Sequence, residues 1–352
     1  MQQHLVRPFA AALFSAGLLL AAPASQAKDE TTPLRVDASF NATAAASSGF
    51  TIADSKALKG IKRVAVPVFA VEFIFADNVN SQTSGFGAAG RSSSSLYYKL
   101  LGVGEAEFQA ITDALYTQFL GELKASGVEV VEASQFTAAP TYRKLVASGS
   151  AAPVKTDSTM TMSPPGLGLY GFAKLGGGNS SSGRSIFGAL SDVGSGFAAV
   201  GAIGDTIQLA GELDASLIEV RMRVNFVQLS DDNKGFLGRL AGTATASGKA
   251  FPSVDNVMMS VQSGPLRSTL TMKNTLTLDS AAFAEVREKA TTTGDVVGAV
   301  AVGLLKLAIG SKDSSSSKEL EVLADPVRYK AVVGAGLGSA GSMLVARMKA
   351  ER

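Results

Sequence analysis

Apolar and polar positions alternate most cleanly over residues 218–226. Ile218, Val220, Met222, Val224 and Phe226 fall on one side, and Glu219, Arg221, Arg223 and Asn225 on the other. A period of two marks a strand with one face in a core and one in water. Leu266 to Leu278 repeats it, with Leu270, Met272, Leu276 and Leu278 opposed to Arg267, Thr269, Thr271, Lys273, Thr275 and Thr277. Arg63 to Phe73 is apolar almost throughout, with Val64, Val66, Val68, Phe69, Val71 and Phe73, and predicts a buried strand. Pro67 within it has no backbone N–H, which places it at an edge or a bulge. The period changes between Phe108 and Lys124, where Phe108, Ile111, Leu115, Phe119, Leu120 and Leu123 form one stripe away from Asp113, Gln118 and Glu122. That is an amphipathic helix. Gly127 stands where a left-handed cap ends it, and Val128 to Val131 reads as the next strand.

Further along, a helix over Asp205 to Leu213 leads into the 218–226 strand. Ser230-Asp231-Asp232-Asn233-Lys234-Gly235 is turn chemistry, followed by a strand pair over Leu237 to Phe251 and Val257 to Gln262. Asp279-Ser280 is expected to cap a helix through Lys289, and Asp295 to Ile309 to form an apolar helix. Asp325 as cap, Pro326 in the first turn, and Arg347 and Lys349 near the other end mark a helix over 326–350. The fold class expected is α/β (α+β): a mixed sheet with antiparallel hairpins in the second half, helices packed on it, and long Ser/Gly-rich insertions.

Residues 1–27 read as a secretory signal. Arg7 supplies the positive start, Phe9 to Ala22 an uncharged apolar run, and Ser25-Gln26-Ala27 small residues at the cleavage positions. A signal anchor is the weaker reading, because the run is short and ends in Pro23. Residues 28–57 are polar and aperiodic, a flexible N-terminal arm. The α/β domain is expected over 58–310, with low-complexity insertions at 78–95 and 148–196; the second contains Pro164-Pro165-Gly166 and Gly176-Gly177-Gly178. A Ser-rich linker, 311–324, then precedes the helix at 325–352, packed on the same domain.

Composition narrows the chemistry. The chain has 352 residues, 46% hydrophobic and 18% charged, a globular composition with an ample core. Removal of the signal takes Arg7 from the 32 Lys+Arg, leaving 31 against 30 acids, which gives no reason to expect nucleic-acid binding. The absence of Cys excludes a lipid anchor on a processed N-terminus and leaves stability to the core alone. The one His, His4, lies in the signal, so imidazole and thiolate nucleophiles, Cys/His zinc sites and His- or Cys-ligated haem are all excluded from the processed chain. No cofactor and no metal site is expected.

Three motif matches fail on context. Gly336-Leu337-Gly338-Ser339-Ala340-Gly341 fits a dinucleotide fingerprint, yet too little chain follows for a second strand and its acidic residue. Ser315-Ser316-Ser317-Lys318 fits a serine–lysine nucleophile but lies in a Ser run without the companion motifs. Asp231-Asp232-Asn233 lacks the glycine register and final Glu of a calcium loop. Two surfaces remain. Gly334, Gly338 and Ser342 recur along one face of the last helix, where another backbone approaches closely, within this chain or from a second copy. Arg221, Arg223, Arg267 and Lys273, against Glu219, lie on the polar faces of the two best strands, as an ordinary wet face or as a basic strip for an anionic polymer.

The order of elements resembles the curli production assembly/transport component family and its wider kin, the Tol-system N-terminal domain and the penicillin-binding-protein activators. The carrying residues are Lys62 to Phe69, the helix Phe108 to Lys124, Gly127 to Glu132, and a later helix entering Ala215 to Val220. The resemblance implies one sheet with helices packed on it, in envelope proteins that assemble or regulate other machinery. The expected function is a non-enzymatic exported cell-envelope protein, periplasmic or outer-membrane-associated, accessory to secretion, surface assembly or envelope maintenance. Its expected partners are other envelope proteins, an envelope polymer or further copies of itself. The alternatives are a binding module for an anionic or glycan polymer and, third, a hydrolase built on carboxylates alone.

Overall fold

The computed structural model describes residues 32–84, 91–170, 197–231, 244–289, 299–300, 304–309 and 315–352. The expected signal at 1–27 therefore lies outside the described residues, as do residues 171–196 of the second insertion. The protein is of mixed α and β structure. In chain order its elements are β1 (Leu34–Arg35), α1 (Ala42–Ser48), β2 (Phe50–Ala53), β3 (Arg63–Ile74), β4 (Ala76–Ser84), β5 (Arg91–Leu101), α2 (Glu105–Ala125), β6 (Glu129–Val130), α3 (Ala133–Ala138), α4 (Pro140–Ser148), β7 (Val154–Lys155) and β8 (Thr159–Met162). They continue with α5 (Phe197–Leu213), β9 (Ser216–Asp231), β10 (Ala244–Ser263), β11 (Leu266–Met272), β12 (Leu276–Thr277), β13 (Phe283–Glu288), β14 (Ala299–Val300), β15 (Leu304–Ile309), β16 (Ser315–Ala324) and α6 (Pro326–Glu351).

The larger sheet runs β1-β12-β10-β9-β3-β8-β7, with β6 on β3, β2 on β11, and β11 and β15 on β10. At its centre β3 and β9 are parallel, and β9 pairs antiparallel with β10. Strands buried on both faces read as near-continuous apolar runs, and β3 does: Val64 to Val71, Pro67 apart, is fully buried. Pro67 occupies the register irregularity between Ala65 and Val68, so the bulge and not the edge accommodates it. Pro252 does the same in β10, between Ala250 and Ser253. The strand pair expected over 237–251 and 257–262 is instead one strand, Ala244–Ser263; a second irregularity between Asp255 and Met258, where Asn256 takes φ 46°, replaces the expected break.

One face of this sheet carries α2 and α6. Phe73 stacks on Phe108 of α2 with centroids 4.3 Å apart, Phe69 meets Phe119 at 5.6 Å, and Tyr329 of α6 lies 6.3 Å from Phe108. The α2 helix ends with Gly127 at φ 86°, the left-handed position expected of it. Asp325 caps α6 by accepting from the Val327 and Arg328 amides at 3.0 and 2.9 Å. This helix is long and apolar enough to cross a membrane, but Tyr329, Val333, Leu337, Ala340, Met343, Leu344 and Met348 are buried in the protein.

The second sheet runs β14-β13-β16-β5-β4. Here the sequence expectations fail most. Of residues 78–95, expected as an insertion, the described ones, 78–84 and 91–95, belong to β4 and β5, paired antiparallel from Ala76 with Lys99 to Ser84 with Arg91. The 311–324 linker supplies β16, parallel to β5 from Ser315 with Ser93 to Leu323 with Leu101. Leu320, Val322 and Ala324 turn inward at period two, the signal that the preceding Ser run masks. The helix expected from Asp279 to Lys289 is a single turn, Ser280–Ala282, followed by β13, whose pairing with β16 satisfies its backbone groups. Of the apolar helix expected over 295–309, the described residues are strands: β14 pairs with β13, and β15 pairs with β10 from Leu304 to Ile309. Such a run is as compatible with a buried strand as with a helix, and the free edge of β10 decides it.

The arm at 28–57 is likewise structured in its described part. β1 pairs with β12, β2 pairs with β11, and Ala46 and Phe50 are buried, so the segment covers two strand edges and α6. Within 148–196, residues up to Tyr170 are ordered by β7 and β8, and Leu167, Leu169 and Tyr170 are buried.

Candidate functional site

Alternation on β9 holds, but the second face is not wet. Glu219 and Arg221 are 8% and 5% exposed. The covering comes from the far side of the sheet: Tyr142 of α4 lies with its hydroxyl 3.4 Å from the Pro67 carbonyl and meets Tyr170 edge-on at 6.0 Å. Tyr170 is buried within electrostatic reach of Glu219, Arg221 and Arg267, and burial raises its pKa well above the ordinary tyrosine value. The segment expected as low-complexity insertion thus roofs the face expected to be exposed, and the basic strip is corrected. Glu219 holds Arg267 at 3.2 Å and lies 3.8 Å from Arg221. Burial lowers the Arg221 pKa, and Glu219 opposes that shift. Lys273 sits past the end of β11, its backbone amide donating to the Gly49 carbonyl at 2.8 Å, so the four basic residues do not form one row.

Arg223 belongs to a different group. Its neighbours in register are Glu72 on β3 and Asp255 on β10, a row of acid, base and acid across three strands. Asp255 takes Arg223 in a bidentate grip, Nε to Oδ1 at 2.7 Å and Nη2 to Oδ2 at 3.0 Å, and also accepts from Asn225 at 2.7 Å. Burial works against the Arg223 charge; the Asp255 hydrogen bonds and the fields of Asp255, Glu72 and Asp77 outweigh it and raise the pKa.

Arg223 and Asn225 form one wall of a cleft of about 820 Å³ where the chain passes from β3 in one sheet to β4 in the other. Ile74, Ala76, Asp77 and Asn78 line the corner, Tyr97, Tyr98 and Lys99 come from β5, Ser317 and Glu319 from β16, Asp157 and Ser158 from the turn before β8, and Thr159 from the start of β8. Cross-strand pairing places Asp77 with Tyr98 on the inner side of the second sheet, and Asn78 with Tyr97 on the outer side. Burial raises the Asp77 pKa, against the Asn78 amide and the charge of Arg223. Burial also pushes the Tyr98 phenol up to about 12. Sequence reasoning missed this cleft because, Arg223 and Asn225 of the 218–226 strand apart, most of its residues come from segments it left unstructured. The Leu96-Tyr97-Tyr98-Lys99-Leu100 stretch, with aromatics at consecutive positions of a strand, is the signal that was available.

The glycine face of α6 packs inside the chain. Ser342 donates to Glu122 of α2 at 2.7 Å, and a Cβ on Gly338 would stand 2.8 Å from Gln118 Oε1. A Cβ on Gly334 would meet nothing within 4 Å. Gly336, outside the expected stripe, makes the closest approach: its Cβ would lie 2.5 Å from Leu278. Among the described residues no group of three or more acidic or His side chains is placed to hold a metal ion. Compared with family models, curated proteins and solved structures, the chain matches none.

Proposed function

We propose that this is a non-enzymatic exported protein of the cell envelope, accessory to secretion, surface assembly or envelope maintenance, with other envelope proteins as partners. The observation that carries the reading is the commitment of the sheet's charged side chains to one another. Glu219 is engaged by Arg267 and Arg221, and Asp255 by Arg223 and Asn225. Carboxylates and guanidiniums that occupy one another's hydrogen-bonding positions serve the framework. The same commitment weighs against an anionic-polymer surface, since two of the arginines expected to form it are largely buried and all three are ion-paired. Export rests on the sequence of residues 1–27, and the accessory role on the resemblance in the order of strands and helices.

Intact-mass measurement of the protein recovered from its native host, together with cell fractionation, tests the reading. Processing after Ala27, giving a chain that starts at Lys28, and recovery with the envelope fraction are expected. A retained Met1 in a cytoplasmic fraction overturns it.

A further inference from the structure

We propose that the outer part of the cleft is a carbohydrate subsite with Tyr97 as its platform. Tyr97 is 42% exposed, unlike its neighbour Tyr98 at 2%. Strand register puts its side chain in one row between Asn78 of β4 and Glu319 of β16, all on the same face of the sheet. In the next row Ala76 stands opposite Lys99, and so small a side chain leaves a hollow beside the ring. The Asp157–Ser158 turn closes that end, held there because the Phe75 and Ala76 amides donate to the Ser158 carbonyl at 2.9 and 3.2 Å. Ser317 lies beyond Glu319 on the same strand and also lines the cleft.

An exposed aromatic face ringed by an amide, a carboxylate, an ammonium and a hydroxyl matches the two-sided chemistry of a sugar. The C–H face of a pyranose covers the ring, and its equatorial hydroxyls reach donors and acceptors at the rim. The cleft as a whole, about 820 Å³, falls in the range of small-molecule sites. Charge selects the kind of saccharide. Glu319 is bound by Lys289 at 2.8 Å and Arg223 by Asp255 at 2.7 Å, so that of the remaining charged lining residues Asp77 and Asp157 are acids against the one base Lys99, with no excess of positive charge to draw a polyanion. A neutral oligosaccharide is the ligand class that fits. The inference rests on the envelope reading only for the source of that sugar, the glycans of the envelope.

The test uses purified processed protein, titrated by calorimetry and ligand-observed NMR with three neutral tetrasaccharides, of the chito, cello and malto series. At least one is expected to bind independently of salt. Tyr97→Ala should weaken it about tenfold or more, Tyr97→Phe should retain it, and Asn78→Ala should weaken it, with thermal melts showing each variant folded. No binding of any of the three at about 10 mM overturns the proposal, as does an affinity unchanged by Tyr97→Ala. Salt-sensitive binding of dextran sulfate in place of the neutral sugars also overturns it and returns the surface to an anionic polymer. Cytoplasmic location would sink the envelope reading while leaving this binding measurable, so the two fail separately.

Discussion

Ser342 of α6 donates its hydroxyl to Glu122 of α2 across 2.7 Å, one turn from the point where Gly338 backs onto Gln118. The two helices follow two parallel strands: β5 leads to α2 and β16 to α6, with Ser93 to Leu101 in register with Ser315 to Leu323. Two strand–helix units therefore stand side by side, and each helix inherits its neighbour from the pairing of the strands before it.

Glycines on α6 are expected to respond in opposite directions. Gly334→Ala meets open space and gains helix propensity, so stability rises by up to about 1 kcal/mol. Gly336→Ala drives its Cβ to 2.5 Å from a methyl of the buried Leu278, where overpacking costs about 1–3 kcal/mol, whereas Gly338→Leu presses on the movable end of the exposed Gln118 and should cost less. Urea melts of the three variants measure this, and a Gly336→Ala protein as stable as Gly334→Ala would remove the argument.

Glu219→Ala deletes the carboxylate shared by Arg267 and the buried Arg221. Removing one side of a buried charge group costs about 3–5 kcal/mol, whereas Lys124→Ala, from a pair more than half exposed on both sides, should cost under about 1 kcal/mol. Equal denaturation midpoints for the two variants would mean that the face of β9 is wet after all.

The β5–β16 pairing can be trapped covalently because the chain has no cysteine. Ser95 and Ser317 are register partners, and neighbouring strands at about 4.8 Å lie within disulfide reach. The double variant Ser95→Cys, Ser317→Cys is expected to oxidise readily to an intramolecular bond, seen by thiol titration. Slow, intermolecular oxidation would return 315–324 to the status of a linker.

Alkaline pH should loosen the protein. Burial raises the Tyr98 phenol to about 12, and Tyr116, Tyr170 and Tyr329 are raised by the same cause. In the unfolded chain these groups ionise near about 10, so the folded state holds more protons above that pH. Stability is therefore full below about pH 10 and falls as pH rises toward 12. Urea midpoints at rising pH, followed with tyrosinate absorbance, check it; ionisation of these phenols without loss of structure would contradict their burial.

The sequence by itself determined the elements whose side chains repeat with a clear period or whose ends carry fixed chemistry. β3, α2 and β9 are legible from their stripes and alternation, Gly127 from its left-handed φ, and α6 from the Asp325 cap. Such signals are local, because they depend on which side of one element faces a core and on backbone groups a few residues apart.

Only the tertiary structure decided the rest. β13, β15 and β16 became strands because β16 lies beside β5, β13 beside β16, and β15 beside the free edge of β10, partners that stand far off in sequence and satisfy their backbone groups. Whether Glu219 and Arg221 meet water depended on Tyr142 and Tyr170, which arrive from another segment to cover them. The cleft belongs to the same class, since Asn78, Tyr97 and Glu319 form a row only after three strands have paired. Periodicity reports that a face is amphipathic, but the identity of what lies against it is a long-range contact, and no pattern within one strand encodes its neighbour.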